Sequence, residues 1–145
     1  YTCWSEALGQ DIPAGTFGEN FTISQQDLCE VCVGDVLFSD SVTLQVSAPR
    51  IPCSTLASRM DDKKFAKKFI KAGRSGAYCR VLAAGDVEAG NEFSHRPYEG
   101  ERIRLQTFFK DVHSKLSADQ LRRYLAVPID ERTRQIFSKK LSTIS

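Results

Sequence analysis

The sequence predicts a mainly β protein, an antiparallel barrel with peripheral helices, followed by a small helical extension. Residues 42–46 alternate apolar and polar side chains, which is typical of a strand with one buried face. Short runs of the same kind at 33–38 and 77–82, bounded by turn residues, favour a barrel of short strands over a layered α/β sheet. After residue 100 the apolar spacing becomes helical.

Length and composition indicate one soluble globular domain with a small appendage. The chain has 145 residues, of which 41% are hydrophobic and 26% charged, and its net charge of +2 favours no class of partner. No apolar run approaches the roughly 20 residues of a membrane span, and no signal peptide is visible. The five cysteines cannot all pair internally, so we expect free thiols and a cytoplasmic protein. The spacing of Cys29 and Cys32 has no second pair near it and predicts neither a zinc nor a redox site.

The segment with the strongest chemical signal is 46–54, which follows the alternating strand. Pro49 and Pro52 should stop regular pairing there and stiffen the loop, because proline lacks a backbone donor and has a fixed φ. Arg50 and Cys53 would then lie close together on this loop, an arrangement that suits a thiolate held near an anion. The alternative is that Cys53 is an ordinary buried cysteine, since cysteine is among the most buried residue types.

The clearest helix is predicted over residues 61–73. Two aspartates begin it, Phe65 and Phe69 share one face, and Gly73 ends it. Its five lysines offer a patch for nucleic acid or anionic lipid. A solvated helix face is the favoured interpretation, because the basic run is short and no aromatic residues interleave with it.

The ends of the chain add further elements. Residues 1–10 look like the end of a helix, 17–23 like a strand, and 85–93 like a turn followed by the last strand of the barrel. From residue 98 three helices are expected, the second of which begins with a capping box of Ser117 and Gln120. At ~45 residues this part is near the lower size for independent stability and should dock on the barrel or on a second subunit. We therefore divide the chain into domains at 1–97 and 98–145.

Three motifs in order give the sequence a family resemblance. Residues 15–20 read Gly-Thr-Phe-Gly-Glu-Asn, residues 49–53 read Pro-Arg-Ile-Pro-Cys, and residues 73–81 read Gly-Arg-Ser-Gly-Ala-Tyr-Cys-Arg-Val. Together they resemble the MOSC domain, and most closely its YiiM-type branch, over nearly the whole chain. Two positions depart from the family pattern: Ala77 replaces a tryptophan, and Asn91 replaces the usual aspartate of the closing strand.

The resemblance implies a MOSC-type β-barrel with a C-terminal three-helix extension. It also implies strands upstream of residue 1 that this sequence does not match, so we expect the N-terminal strands to be missing. Open strand edges are a liability, and a second copy, as in a homodimer, or the missing residues should cover them.

The resemblance also implies a site. In this family the loop cysteine is the expected ligand of molybdenum in the molybdenum cofactor (molybdopterin), so Cys53 is predicted as both the metal ligand and the catalytic residue. The predicted cofactor-binding residues are Gly18, Glu19, Asn20, Arg50, Ser54 and Arg74.

The activity implied by the resemblance is two-electron reduction of small N-hydroxylated compounds, such as hydroxylaminopurine-like bases. No dinucleotide-binding glycine pattern is present, so we expect a separate redox protein to donate the electrons. The alternative is a module that carries the molybdenum cofactor, or sulfur on Cys53, without turnover. Neither a membrane nor nucleic acid is expected as a partner.

Overall fold

The computed structural model describes residues 1–24, 26–28 and 30–144. None of the helices in these ranges is both long and apolar enough to cross a bilayer. In chain order, the elements are α1 (Thr2–Leu8), β1 (Val36–Phe38), β2 (Thr43–Pro49), α2 (Ser54–Arg59), α3 (Phe65–Ala72), β3 (Ala77–Ala83), β4 (Ser94–Arg96), α4 (Leu105–Asp111), α5 (Ala118–Ala126) and α6 (Glu131–Ile144).

The prediction of a mainly β barrel is wrong for the described chain. Its four strands form one open antiparallel sheet in the order β3-β2-β1-β4, and the six helices contain more residues than the strands. Residues 17–23 form no strand. Residues 85–93 do not pair either, because Glu88 and Asn91 close a turn in which the N–H of Asn91 donates to the carbonyl of Glu88 over 3.1 Å. Only Ser94–Arg96 then reaches β1.

The central strand β2 pairs with both β1 and β3, which makes it the backbone of the sheet. The strand predicted over residues 42–46 extends further, to Pro49, which lies opposite Ala77, and regular pairing stops at this proline as predicted. Proline has no N–H to donate. The next backbone bond therefore comes from Arg50, whose N–H donates to the carbonyl of Gly76 over 2.8 Å.

The helix ends largely follow local sequence. Gly9 and Gly73 end α1 and α3 in the left-handed conformation, and Ser117 with Gln120 forms the predicted capping box of α5. The helix predicted from residue 61 begins later, at Phe65, because Asp62 folds the preceding segment into a turn by accepting the N–H of Lys64 over 2.8 Å. The short helix α2 was not predicted.

Two clusters of buried side chains organise the packing. The main core joins the sheet to the C-terminal helices through residues that include Leu44, Val46, Phe108, Leu121 and Phe137. Because strands and C-terminal helices share this core, the helices dock on the sheet as the size argument predicted. The domain division at 97 and 98 stays a prediction.

The second cluster is aromatic and lies beside the first. It contains Trp4, Phe65, Phe69 and Phe109, with Phe17 packed against it, and is called the aromatic cluster below. The rings of Trp4 and Phe69 stack at 5.5 Å between centroids, and those of Phe69 and Phe109 meet edge to face at 6.0 Å. The cluster therefore ties α1, α3 and α4 together.

Gly34, before β1, provides a test of this packing. Its φ is +89°, and a β-carbon there would lie 2.6 Å from Cγ of Tyr98. We expect Gly34→Ala to lower the free energy of unfolding by about 3 kcal/mol, because left-handed strain and a ring clash add together. Gly90→Ala is the control, since φ is +95° but a β-carbon meets nothing within 4 Å. It should cost only about 1 kcal/mol in urea titrations. Equal losses for the two variants would contradict the clash.

Candidate functional site

Cys53 lies exposed at the residue before α2, just after the end of β2. The interpretation of Cys53 as buried filler is therefore excluded. Cys53 is the N-cap residue of α2, and although its side chain forms no capping hydrogen bond, the pKa of its thiol is lowered. The largest cause is the backbone N–H of Leu56, followed by the hydroxyl and N–H of Thr55 and then by the charge of Arg50. The local backbone thus favours a thiolate at this position.

Arg50 is half-buried between two glycines from other segments. A β-carbon on Gly18 would lie 3.9 Å from Nη2 of Arg50, and one on Gly76 would lie 3.9 Å from its Cβ. The glycine loop of residues 15–20 and the segment after α3 therefore both reach the arginine. The structure thus brings together Gly18, Arg50 and Cys53, which the sequence predicted as site residues, and adds Gly76.

Glu19 supports the loop rather than facing outward. Its Oε1 accepts hydrogen bonds from the hydroxyl of Tyr1, the N–H of Gly15 over 2.7 Å and the hydroxyl of Thr22 over 2.8 Å. Burial raises the pKa of this carboxyl, but the hydrogen bonds outweigh burial and lower the pKa to about 2. Its Oε2 is buried without a hydrogen-bond partner among the described residues.

The other three predicted site residues are exposed. Asn20 follows Glu19 in the glycine loop, Ser54 begins α2, and Arg74 follows the glycine that ends α3. Within the described ranges their side chains form no hydrogen bond or ion pair, so they are accessible to a ligand. No measured contact joins Asn20 or Arg74 to Cys53.

The site is open rather than deep. The two best-formed recesses of the described chain have volumes of about 210 and 370 Å³, and neither is lined by Cys53 or Arg50. The first lies among the C-terminal helices and the second at the turns after β1 and before β4. Of the two cysteines at 29 and 32, Cys29 lies outside the described residues and Cys32 is buried, so their predicted lack of a zinc or redox role stays a prediction.

Sequence reasoning missed two groups of residues. In the first, Thr55 and Leu56 at the start of α2 lower the pKa of the Cys53 thiol. Two hydroxyl residues follow Cys53 in the sequence, and they were the signal that could have indicated a helix start. The second group surrounds Asp35, a fully buried carboxylate that accepts hydrogen bonds from His95 and Arg102. No motif pointed to it.

Comparison with known proteins identifies the family. Residues 1–94 match the model of the MOSC domain. The chain belongs to the MOSC domain family. Its structure superposes on the crystal structure of YiiM from Geobacillus stearothermophilus with a TM-score of 0.89 and 29% identity, covering 97% of this chain and 73% of that one. YiiM from Escherichia coli gives a TM-score of 0.88 over 100% of this MOSC chain and 74% of its own, and at 23% identity shows the fold alone.

Two relatives add to this identification. The uncharacterized protein YflK of Bacillus subtilis is 32% identical over 143 residues, which is 97% of this chain and 64% of YflK. The chain thus spans less than two thirds of that relative's length. A protein named reductase from Gibberella moniliformis is 39% identical over 87 residues, which is 58% of this chain and 16% of that protein. The YiiM-type likeness predicted from the three motifs is confirmed.

The reactivity of Cys53 tests the electrostatics of this candidate site. We expect iodoacetamide to alkylate Cys53 with a midpoint pH below the ordinary cysteine value of about 8.5, because the thiolate is stabilised by donors. Thr55→Val should raise that midpoint, since it removes the hydroxyl that contributes to the lowered pKa. Peptide mass spectrometry separates Cys53 from the half-buried Cys79, whose pKa is raised to about 11 by desolvation and which serves as the slow reference. An unchanged midpoint in Thr55→Val would contradict the assignment.

Glu19 makes the glycine loop sensitive to acid. A carboxyl whose folded pKa is lowered stabilises the fold above its unfolded pKa, and that stabilisation is lost as pH falls through the folded value. The free energy of unfolding should therefore fall between about pH 4.5 and pH 2. Glu19→Gln should show a shallower fall in the same window, measured by urea titration at each pH. Parallel curves for the two proteins would show that Glu19 is not the group responsible.

Proposed function

We propose that this chain acts as a molybdenum cofactor-dependent reductase of N-hydroxylated compounds, with Cys53 as the protein ligand of molybdenum. MOSC domains are generally associated with binding of the molybdenum cofactor, and one relative is named a reductase. The observation that carries the proposal is the exposed Cys53 thiol with its lowered pKa, held beside Arg50 at the end of β2.

The donor set fits such a cofactor. A soft thiolate suits a thiophilic transition metal, and ligation requires the deprotonated thiol, which the surroundings of Cys53 favour. Among the described residues, no group of three or more histidine, cysteine, aspartate or glutamate side chains is arranged to hold a metal. A metal at Cys53 would therefore take its remaining ligands from the cofactor's own dithiolene.

Arg50 and its exposed neighbours suit the polar parts of a pterin with a phosphate tail. The planar guanidinium of Arg50 matches phosphate oxygens, and its side chain lies near Gly18 and Gly76. Asn20 and Ser54 would offer an amide and a hydroxyl to pterin atoms. The N–H of Gly18 already donates to the carbonyl of Gly15 over 2.9 Å, so the glycine's part would be close approach rather than donation.

The chemistry that the cofactor supplies when bound is two-electron reduction. In this reaction an N-hydroxylated compound takes up two electrons and two protons, its N–O bond breaks, and the amine and water leave. The chain's own residues would position the metal through Cys53 and hold the cofactor's anionic tail at Arg50. The open face around Cys53 would admit a planar base.

The expected partners belong to this proposal. Electrons would come from a separate redox protein in the cytoplasm, since the glycines at 73 and 76 do not form a dinucleotide-binding pattern. A second copy of the chain is supported by the edge strand β3, whose Val81 and Leu82 are 58% and 51% exposed. Exposed apolar edge strands are usually covered by another chain or segment.

The test is metal analysis combined with a turnover assay. Protein from a molybdenum-replete host should contain molybdenum and, once reduced, convert 6-hydroxylaminopurine to adenine. Cys53→Ser should lose at least about tenfold of both the bound metal and the rate, because the hydroxyl is a far poorer ligand for a soft metal. Cys79→Ser, at the half-buried cysteine of β3, is the matched control and should keep both. Equal metal content in the two variants would contradict the assignment of Cys53 as the metal ligand.

A second candidate is a carrier that holds the cofactor, or a sulfur atom on Cys53, without turnover. The open position of Cys53, outside both recesses, favours it because transfer to another protein needs access. Cofactor-loaded protein that is inactive towards N-hydroxylated bases would favour the carrier over the reductase.

A further inference from the structure

Residues 50–74 carry an excess of positive charge that the rest of the chain does not share. This stretch contains eight basic and two acidic side chains, a local charge of +6. The whole chain has a net charge of +2, so the remaining residues carry −4. Such a separation directs a positive potential from one side of the molecule and attracts partners of opposite charge to it.

The charge is concentrated on one face of α3. Lys64, Lys67 and Lys71 recur at spacings of three and four residues and are all exposed; these three residues are called the lysine face. Phe65 and Phe69 lie on the other side of the helix and are buried in the aromatic cluster. The packing of the two rings thus fixes the direction in which the lysines point.

The lysine face forms no ion pair within the described part of the chain. Lys68 pairs with Asp62 over 2.7 Å, but the lysine face takes part in none of the ion pairs found there. By contrast, each of the four arginines between residues 102 and 123 contacts a carboxylate. The arginines line a neutralised surface. On the lysine face, Lys64 interacts electrostatically with Asp62, whereas Lys67 and Lys71 keep their charge for a partner.

The lysine face adjoins the candidate site. The end of α3 leads through Gly73 and Arg74 to Gly76, whose carbonyl accepts the N–H of Arg50 over 2.8 Å. Cys53 follows three residues after Arg50, and its thiol lies within the influence of the Arg50 charge. A protein bound at the lysine face would therefore lie next to the segment that joins α3 to Arg50, three residues before the thiol.

We infer that the lysine face docks an acidic redox protein that passes electrons to the site at Cys53. This rests on the proposed reductase function. Two electrons would leave the reduced flavin of the partner, and solvent would supply the two protons that the N–O cleavage consumes. Redox complexes are small and transient and are steered by complementary charge. A helix of eight residues, about 12 Å long, provides a patch of that scale.

Nucleic acid fits the same surface less well. Single strands are held by aromatic side chains that stack on bases, beside the charges that track the backbone. The aromatic residues of α3 are Phe65 and Phe69, and both are buried against Trp4 and Phe109. The lysine face thus offers charge without a stacking surface.

The binding test uses an FMN-containing flavodoxin of net negative charge as the probe. Lys67→Glu/Lys71→Glu should raise its Kd at least about tenfold at low salt, and binding to the native chain should weaken in about 0.3 M salt. Lys115→Glu/Lys139→Glu makes the same change of charge at exposed lysines outside the lysine face and should alter Kd by less than about twofold. Equal Kd values for the two variants would overturn the inference. So would tighter binding of single-stranded DNA than of flavodoxin at equal salt.

The turnover test separates this inference from the proposed function. With reduced flavodoxin as donor, Lys67→Glu/Lys71→Glu should reduce 6-hydroxylaminopurine at least about tenfold more slowly than the Lys115→Glu/Lys139→Glu control. With reduced methyl viologen, a small donor that needs no docking, both variants should match the native rate. Native protein that is inactive with methyl viologen would overturn the reductase function, while the Kd comparison would still decide the docking.

Discussion

The buried carboxylate of Asp35 holds together segments that are distant in the sequence. It accepts hydrogen bonds from the N–H groups of Cys32 and Tyr98, over 3.0 and 2.8 Å, and from the side chains of His95 and Arg102. Burial alone would raise the pKa of this carboxyl, but the donors outweigh burial and lower it. Removing a single donor would leave a buried charge partly unpaired, at a cost of several kcal/mol. The fold therefore depends on all of these segments arriving together.

This arrangement sets where α4 lies. Next to Arg102, the backbone of Ile103 and Leu105 pairs with Val31 and Val33, with N–H to carbonyl distances of 2.9 Å. That pairing places α4 between the main core and the aromatic cluster. Phe108 on this helix enters the main core and its neighbour Phe109 enters the aromatic cluster, which supports α1 and α3. The aromatic cluster, which includes Leu56 of α2 after Cys53, therefore depends on the position of α4 and so on the buried charge of Asp35.

Local signals in the sequence predicted the elements that depend on local physics. The alternation that defines β2, the glycine that ends α3 and the capping box at Ser117 each act within a few residues. The strand predicted at 17–23 does not form, because tertiary contacts outweigh the strand propensity of this segment. The ring of Phe17 stacks on that of Tyr1 at 5.2 Å between centroids, and Glu19 accepts a hydrogen bond from the hydroxyl of the same tyrosine. The donors to Asp35 lie up to 67 residues away along the sequence, and no local pattern predicts them.

The order of the motifs predicted which residues meet at the site, but the cause of the lowered thiol pKa depends on α2. We expected Arg50 to favour the thiolate, whereas the N–H of Leu56 contributes most and the arginine charge contributes least of the lowering groups. The difference matters for chemistry, because a guanidinium fully engaged with a thiolate would have little left for another anion. The start of a short helix activates the sulfur, while Arg50, which lies near Gly18 and Gly76, keeps its donors. One loop can therefore present a metal-binding thiolate and an anion-binding cation a few residues apart without either neutralising the other.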